Sequence, residues 1–194
     1  WSAAVIGFIF CWEANTPPEI TSLSLGPANP TIRDQLTASY SATDPDGDAV
    51  FYFPEWRVNG APLFATSDTT LPLEQFDKGD VVTFVLRASD SRFTALASPS
   101  LTVANTPPED VTVTLEPAVA RTTDDLVARY GARDIDRAVS PQATFEWRRD
   151  GVPIPGQTGQ VLPHTAQAKG KVITVVVHMS DGEAVTSASA STTI

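Results

Sequence analysis

The 194-residue sequence predicts an all-β protein: two tandem β-sandwiches, residues 15–104 and 105–194, joined by a short proline-rich linker and preceded by an apolar segment, residues 1–14. Three observations carry this. The chain repeats itself, its apolar residues recur with period two, and its 16 prolines fall mostly between those runs, where a missing N–H costs no ladder bond. No stretch keeps a helical period.

The repeat sets the frame. Asn15-Thr16-Pro17-Pro18-Glu19 returns 90 residues later as Asn105-Thr106-Pro107-Pro108-Glu109, as do Asp34, Leu36, Tyr40, Asp44 and Asp46 at Asp124, Leu126, Tyr130, Asp134 and Asp136. Glu55-Trp56, Lys78-Gly79 and Ser89-Asp90 then return at an offset of 91, as Glu146-Trp147, Lys169-Gly170 and Ser180-Asp181. One residue is therefore inserted between Asp136 and Glu146, where a loop tolerates it. Within the first unit, Ile20–Leu25 alternates before the turn Gly26-Pro27-Ala28-Asn29-Pro30, and Leu36–Ala42 is the next period-two run. That run ends in the turn Asp44-Pro45-Asp46-Gly47-Asp48. An aromatic run, Val50–Val58, closes on Asn59-Gly60, a strong hairpin dipeptide. Val81–Ala88 is rich in β-branched and aromatic residues, and Leu101-Thr102-Val103 finishes the unit. The linker Val103-Ala104-Asn105-Thr106-Pro107-Pro108 has two prolines that fix φ, so a semi-rigid rod is expected.

These motifs resemble the tandem immunoglobulin-like or cadherin-like repeats of bacterial cell-surface proteins. The likeness rests on Asn-Thr-Pro-Pro, on Ala42-Thr43-Asp44-Pro45-Asp46-Gly47-Asp48, on a Trp followed by Asn59-Gly60, on Lys78-Gly79-Asp80 and on Ser89-Asp90. It implies immunoglobulin-like sandwiches with Trp56 and Trp147 in the buried tryptophan position. With Cys11 the only cysteine, no internal disulfide can brace that core and no cysteine-based zinc site can form. The resemblance also implies an extracellular or cell-surface setting.

Net charge is −10, with −6 in residues 15–104 and −3 in 105–194. Phosphate backbones and anionic membranes repel such a surface, so nucleic acid is not an expected partner. The sharpest chemical feature is acidic. Asp44, Asp46 and Asp48 share one glycine-containing turn, a hard-oxygen arrangement suited to Ca²⁺, and a sandwich of this type brings Asp90 and Glu19 towards the same rim. The competing reading makes these side chains acceptors for backbone N–H groups. In the second unit, Arg133 and Arg137 flank the turn and are expected to supply countercharge.

Catalysis lacks parts. Only His164 and His178 offer imidazole chemistry, there is no Gly-x-Ser-x-Gly elbow and no phosphate-binding glycine loop. Phe51, Tyr52 and Phe53 with Trp56, and Phe145 with Trp147, sit on strands whose alternation should bury about half of them, so core packing is the default, while an exposed platform of Phe51, Phe53 or Trp56 would mark a binding module.

Residues 1–14 stand outside the repeat. Ala3–Trp12 is a run of ten uncharged residues, too short to span a membrane. Read as a strand it is apolar on both faces, and Val5, Ile6, Phe8, Ile9, Phe10 and Trp12 are expected to drive assembly with another subunit or a neighbouring domain. The function expected from the whole is non-catalytic and structural: an extracellular stalk or filament subunit that self-associates or joins domains of the same protein. The alternative is a carbohydrate- or protein-binding accessory module of a larger enzyme or adhesin.

Overall fold

In the computed structural model the described residues are 14–64, 69–137 and 140–194; the segment assigned above to assembly, Val5, Ile6, Phe8, Ile9, Phe10 and Trp12, lies outside them. The chain divides into two compact units. One takes described residues 14–28, 35–64, 69–75 and 81–101, and the other takes 29–34, 76–80, 102–137 and 140–194.

Strand formation in the first unit follows the period-two pattern. β1 (Glu19–Gly26) pairs antiparallel with β2 (Leu36–Thr43), which pairs with the two-residue β5 (Thr70–Leu71). The facing sheet runs β4 (Ala61–Leu63), β3 (Phe51–Val58), β6 (Val81–Ser89), β7 (Thr94–Ala97), with β8 (Ser100–Thr102) also pairing to β6. Asn59-Gly60 makes the β3–β4 hairpin as expected: Val58 faces Ala61, and both turn residues have positive φ (50° and 82°), the backbone that matches the twist of a two-residue hairpin. Leu36, Ala38, Trp56, Leu71, Val82, Phe84, Leu86 and Ala88 fill the space between the sheets. Trp56 and Phe84 meet edge to face at 4.8 Å.

The second unit repeats the order, with one long edge strand where the first has β7 and β8. β13 (Val161–Leu162), β10 (Leu126–Arg133) and β9 (Glu109–Glu116) form one sheet. β12 (Val152–Pro153), β11 (Gln142–Arg149), β14 (Val172–Ser180) and β15 (Val185–Thr193) form the other. The inserted residue falls between β10 and β11. Trp147 is fully buried among Leu115, Leu126, Leu162, Ile173, Val175 and Val177, and its indole N–H donates to the Gly159 carbonyl at 2.8 Å. The one helical element among the described residues is a 3₁₀ turn, His164–Ala166. Counting strands A, B, C, C′, E, F and G along each repeat gives A-B-E against C′-C-F-G, the immunoglobulin-like arrangement.

The aromatic run of β3 divides between the two faces of its sheet. Phe51 and Phe53 are 54% and 55% exposed, while Trp56 is buried. Tyr52, 39% exposed, lies on the other face, its hydroxyl donating to the Ala42 carbonyl at 3.2 Å and its ring 5.2 Å from Tyr40. Strand parity explains it: Phe51 and Phe53 are odd, and the face carrying Trp56 and Tyr52 is even.

Candidate functional site: a carboxylate clamp on each lead-in strand

The site is built from three short segments at one end of each sandwich. The first is the β2–β3 turn. Asp44 closes it, its Oδ1 accepting the backbone N–H of Asp46 at 2.9 Å and of Asp48 at 3.3 Å, while its carbonyl accepts from Gly47 at 3.2 Å. The second is the β6–β7 turn. Asp90 Oδ1 accepts from the N–H groups of Arg92 and Phe93, both at 2.7 Å. These two turns leave Asp90 Oδ2 and the carboxylate of Asp46 to accept from the lead-in segment.

The third segment is Asn15-Thr16-Pro17-Pro18, which leads into β1. Two prolines remove two backbone donors, so the N–H groups available for docking sit on the residues before them. Thr16 donates its N–H to Asp46 Oδ2 at 2.5 Å and its hydroxyl to Asp46 Oδ1 at 3.2 Å. The Asn15 side-chain amide donates to Asp90 Oδ2 at 2.7 Å. The same clamp recurs in the second unit. Thr106 N–H donates to Asp136 Oδ2 at 2.9 Å and Asn105 Nδ2 to Asp181 Oδ2 at 2.8 Å. Asp134 Oδ1 accepts from Asp136 N–H at 2.8 Å, and Asp181 Oδ1 accepts from Glu183 and Ala184 at 2.7 and 2.6 Å.

Asp44, Asp46 and Asp90 are thus brought to one rim, and their oxygens are largely engaged by backbone and amide donors. Asp48 contributes its backbone N–H rather than its carboxylate to the turn. Among the described residues no three His, Cys, Asp or Glu side chains are gathered closely enough to hold a metal ion. Asp44 Oδ2 is buried without a partner in the first unit, as are Asp134 Oδ2, Asp136 Oδ1, Asn105 Oδ1 and Thr106 Oγ1 in the second. The countercharge expected from Arg133 goes elsewhere: its guanidinium pairs with Glu109 at 3.0 Å and reaches Asp110 at 3.7 Å. Sequence reasoning saw Asn15, Thr16, Asn105 and Thr106 only as markers of the repeat. Their role depends on partners up to 76 residues away.

In each clamp the carboxylate of the second turn, Asp90 or Asp181, is favoured in its ionised form. The Phe93 amide above all, with Asn15 and the Arg92 amide, keeps Asp90 below the usual carboxylate range against the opposing effect of burial. For Asp181 burial pushes upward, and the Ala184 amide, Asn105 and the Glu183 amide outweigh it, so the group is again lowered. A carboxyl whose folded-state pKa lies below its unfolded value contributes stability above the unfolded value, and loses it as pH falls through the folded one. The melting temperature of the chain is expected to stay level from pH 7 to about 5 and fall below about pH 4, near the unfolded-state pKa of Asp. Asp181→Asn should flatten that acid limb, which differential scanning calorimetry across pH reads directly.

An open cleft of about 550 Å³ adjoins the first clamp, lined by Ala14, Asn15, Asp46, Phe51, Asp90 and Arg92 among others, with no histidine. The histidines lie apart from it. His178 Nδ1 is 2.7 Å from Ser187 Oγ, and its Nε2 is 3.9 Å from Glu146 Oε2, a serine–histidine–glutamate constellation in outline. It sits on the outer face of the β11–β14–β15 sheet. Glu146 there is bound by Arg148 at 2.8 and 3.3 Å, and at 3.9 Å it does not hydrogen-bond the imidazole. His164 pairs with Asp125 at 2.8 Å in the 3₁₀ turn. Among the described residues no helix is long and apolar enough to cross a membrane.

No family model matches the sequence, and no curated protein matches it. Among solved structures the chain is similar to the N-terminal eight Ig domains of Down Syndrome Cell Adhesion Molecule isoform 1.30.30. That match has a TM-score of 0.46 and 15% identity, covering 90% of this chain and 24% of that one. A second Dscam chain, from work on isoform specificity, matches with a TM-score of 0.32 and 14% identity over 93% of this chain and 46% of that one. Chimeric titin Z1Z2 carrying a KLER peptide from decorin matches with a TM-score of 0.32 and 16% identity over 92% and 97%. At such scores the superpositions add nothing to the strand order, on which the fold rests. Both repeats are immunoglobulin-like β-sandwiches in which carboxylates of two turns grip the segment leading into the first strand.

Proposed function

We propose that the chain is a non-catalytic structural module of an extracellular or cell-surface array, a stalk or filament segment built from immunoglobulin-like repeats. One observation carries the reading: in both repeats one aspartate from each of two turns, Asp46 with Asp90 and Asp136 with Asp181, binds the lead-in segment. Tension along the chain passes through that segment, so the clamp is placed where a load-bearing repeat needs rigidity. The apolar run of residues 5–12 is the proposed joint to another copy or to a neighbouring domain. Deleting residues 1–12 and weighing the chain by light scattering tests it. A fall from oligomer to monomer supports the joint, and an unchanged mass overturns it.

Calcium enters this proposal as a competitor for the first clamp, since an ion at Asp44, Asp46, Asp48 and Asp90 would share the oxygens of Asp46 and Asp90 with Thr16 and Asn15. A rise in melting temperature on adding millimolar Ca²⁺ that Asp48→Asn abolishes supports an ion there. An unchanged melting temperature leaves clamping as the whole role of the cluster. The exposed pair Phe51 and Phe53 favours a second reading, a carbohydrate- or protein-binding accessory module.

A further inference from the structure

The cleft beside the first clamp is lined by side chains that the second repeat lacks. The clamp itself is common to both: Asn15, Asp46 and Asp90 return as Asn105, Asp136 and Asp181. Phe51, Ser91 and Arg92, which line the cleft with them, are replaced by Gln142, Gly182 and Glu183. Phe51 is 54% exposed, so the cleft has an aromatic wall. Ser91 keeps a side chain at φ 82°, in a turn where the second repeat has Gly182 at φ 96°. Serine works against the preference of that backbone, which glycine adopts freely. The first repeat thus adds an aromatic ring, a hydroxyl and a guanidinium to a scaffold that closes without them.

Two charged groups of the cleft are left unused. Arg92 spends only its backbone N–H, on Asp90, and its guanidinium has no partner among the described residues although three carboxylates line the same cleft. Asp48 likewise gives its backbone N–H to Asp44, and its carboxylate has no partner among the described residues. Asp46 and Asp90 already accept from Thr16, Asn15 and the turn. The cleft therefore offers a free fork of donors, a free pair of acceptor oxygens and a ring. Its volume of about 550 Å³ falls within the range of small-ligand sites, about 300–1,000 Å³. A bare anion there meets the three carboxylates, and a bare cation meets Arg92. A neutral polyol meets neither penalty: its hydroxyls donate to Asp48 and accept from Arg92, and the C–H face of a sugar ring covers Phe51.

We propose that this cleft is a saccharide subsite of the first repeat, with Asp48 and Arg92 holding ring hydroxyls and Phe51 the apolar face of the sugar. Phe53 is also more than half exposed on the same side of the strand, about 7 Å further along. A second sugar unit leaving the cleft therefore meets another ring. The subsite rests on the accessory-module reading drawn from Phe51 and Phe53, and names its ligand class. The second repeat, with Gln142 and Glu183 in these places, is not expected to bind. The contacts are few and the cleft is open, so a dissociation constant of about 1 mM is expected.

Amide chemical-shift mapping on the full chain tests this, because each molecule carries its own control. The probes are maltose, cellobiose, lactose and N,N′-diacetylchitobiose, each titrated to about 10 mM, tenfold above the expected dissociation constant. At least one should shift the amides of Asp48, Phe51, Ser91 and Arg92 and leave those of Gly182 and Glu183 still. Phe51→Gln and Arg92→Glu, which copy the second repeat, should each weaken binding at least about tenfold. Both side chains are exposed, so the variants should melt with the wild type, and lost binding is then not a lost fold. No shift with any of the four sugars overturns the proposal. So do equal shifts in the two repeats, or undiminished binding by both variants. The zwitterionic dipeptide lysyl-phenylalanine, titrated in parallel, separates two kinds of failure. If it alone shifts these amides, the saccharide subsite falls and the accessory-module reading stands; if nothing shifts them, both fall.

Discussion

Trp147→Ala is expected to be the most damaging single substitution in the second repeat, lowering stability by about 3–5 kcal/mol. The indole is fully buried and touches both sheets through the cluster of Leu115, Leu126, Leu162, Ile173, Val175 and Val177. Truncation removes its apolar area from the core and leaves a cavity that the flanking strands cannot collapse into, because their register is fixed by ladders on both sides. No disulfide limits the damage. For a sandwich of this size each kcal/mol moves the melting temperature by roughly 4–8 °C, so a fall of at least about 12 °C is expected. Trp147→Phe isolates the polar part of the effect. It keeps most of the packing and strands the Gly159 carbonyl, at a cost of about 1–3 kcal/mol. Val152→Ala, at an exposed position, should change nothing measurable. Equal melting of Trp147→Ala and wild type would mean that the tryptophan does not organise this core.

Much of this was legible in the sequence, and the parts that were not have physical reasons. The long strands announce themselves by alternation, and Asn59-Gly60 by its turn chemistry. β5 and β13 are two residues each, too short for any period to show. β15 reads Val-Thr-Ser-Ala-Ser-Ala-Ser-Thr-Thr, alternating between alanine and hydroxyl side chains, so its buried face is small rather than hydrophobic and escapes a search for apolar period. The exposure of Phe51 and Phe53 was readable in principle. Once Trp56 is placed in the core, parity puts both phenylalanines on the opposite face; alternation alone does not say which face meets water. The acidic turn was visible, but its donors were not. Nothing local ties Asn15 to Asp90 or Asn105 to Asp181, and only the closure of the sandwich brings them together.

Asp181→Ala should unfasten the second clamp, with an expected loss of about 2–3 kcal/mol, the scale of hydrogen bonds to an ionised acceptor. The substitution takes the acceptor from three donors at once: Glu183 N–H, Ala184 N–H and the Asn105 amide. The two backbone donors shape the β14–β15 turn, and the amide holds the lead-in strand. Asp181→Asn separates these roles. One amide oxygen still serves the turn, while its NH₂ now meets the NH₂ of Asn105, so the turn survives and the lead-in is released. Native-state hydrogen exchange distinguishes them: Thr106 N–H should lose protection in both variants, Ala184 N–H only in Asp181→Ala. Asp48→Ala in the first repeat, where the carboxylate is not part of the turn's hydrogen bonding, is the control and should stay within about 0.5 kcal/mol of wild type. Under tension the ordering should sharpen. A strand gripped at its first residues resists being peeled away, so both Asp181 variants should lower the unfolding force in single-molecule pulling, and Asp48→Ala should leave it alone. If Asp181→Asn pulls apart at the wild-type force, the carboxylates shape turns and nothing more, and the load-bearing reading falls with them.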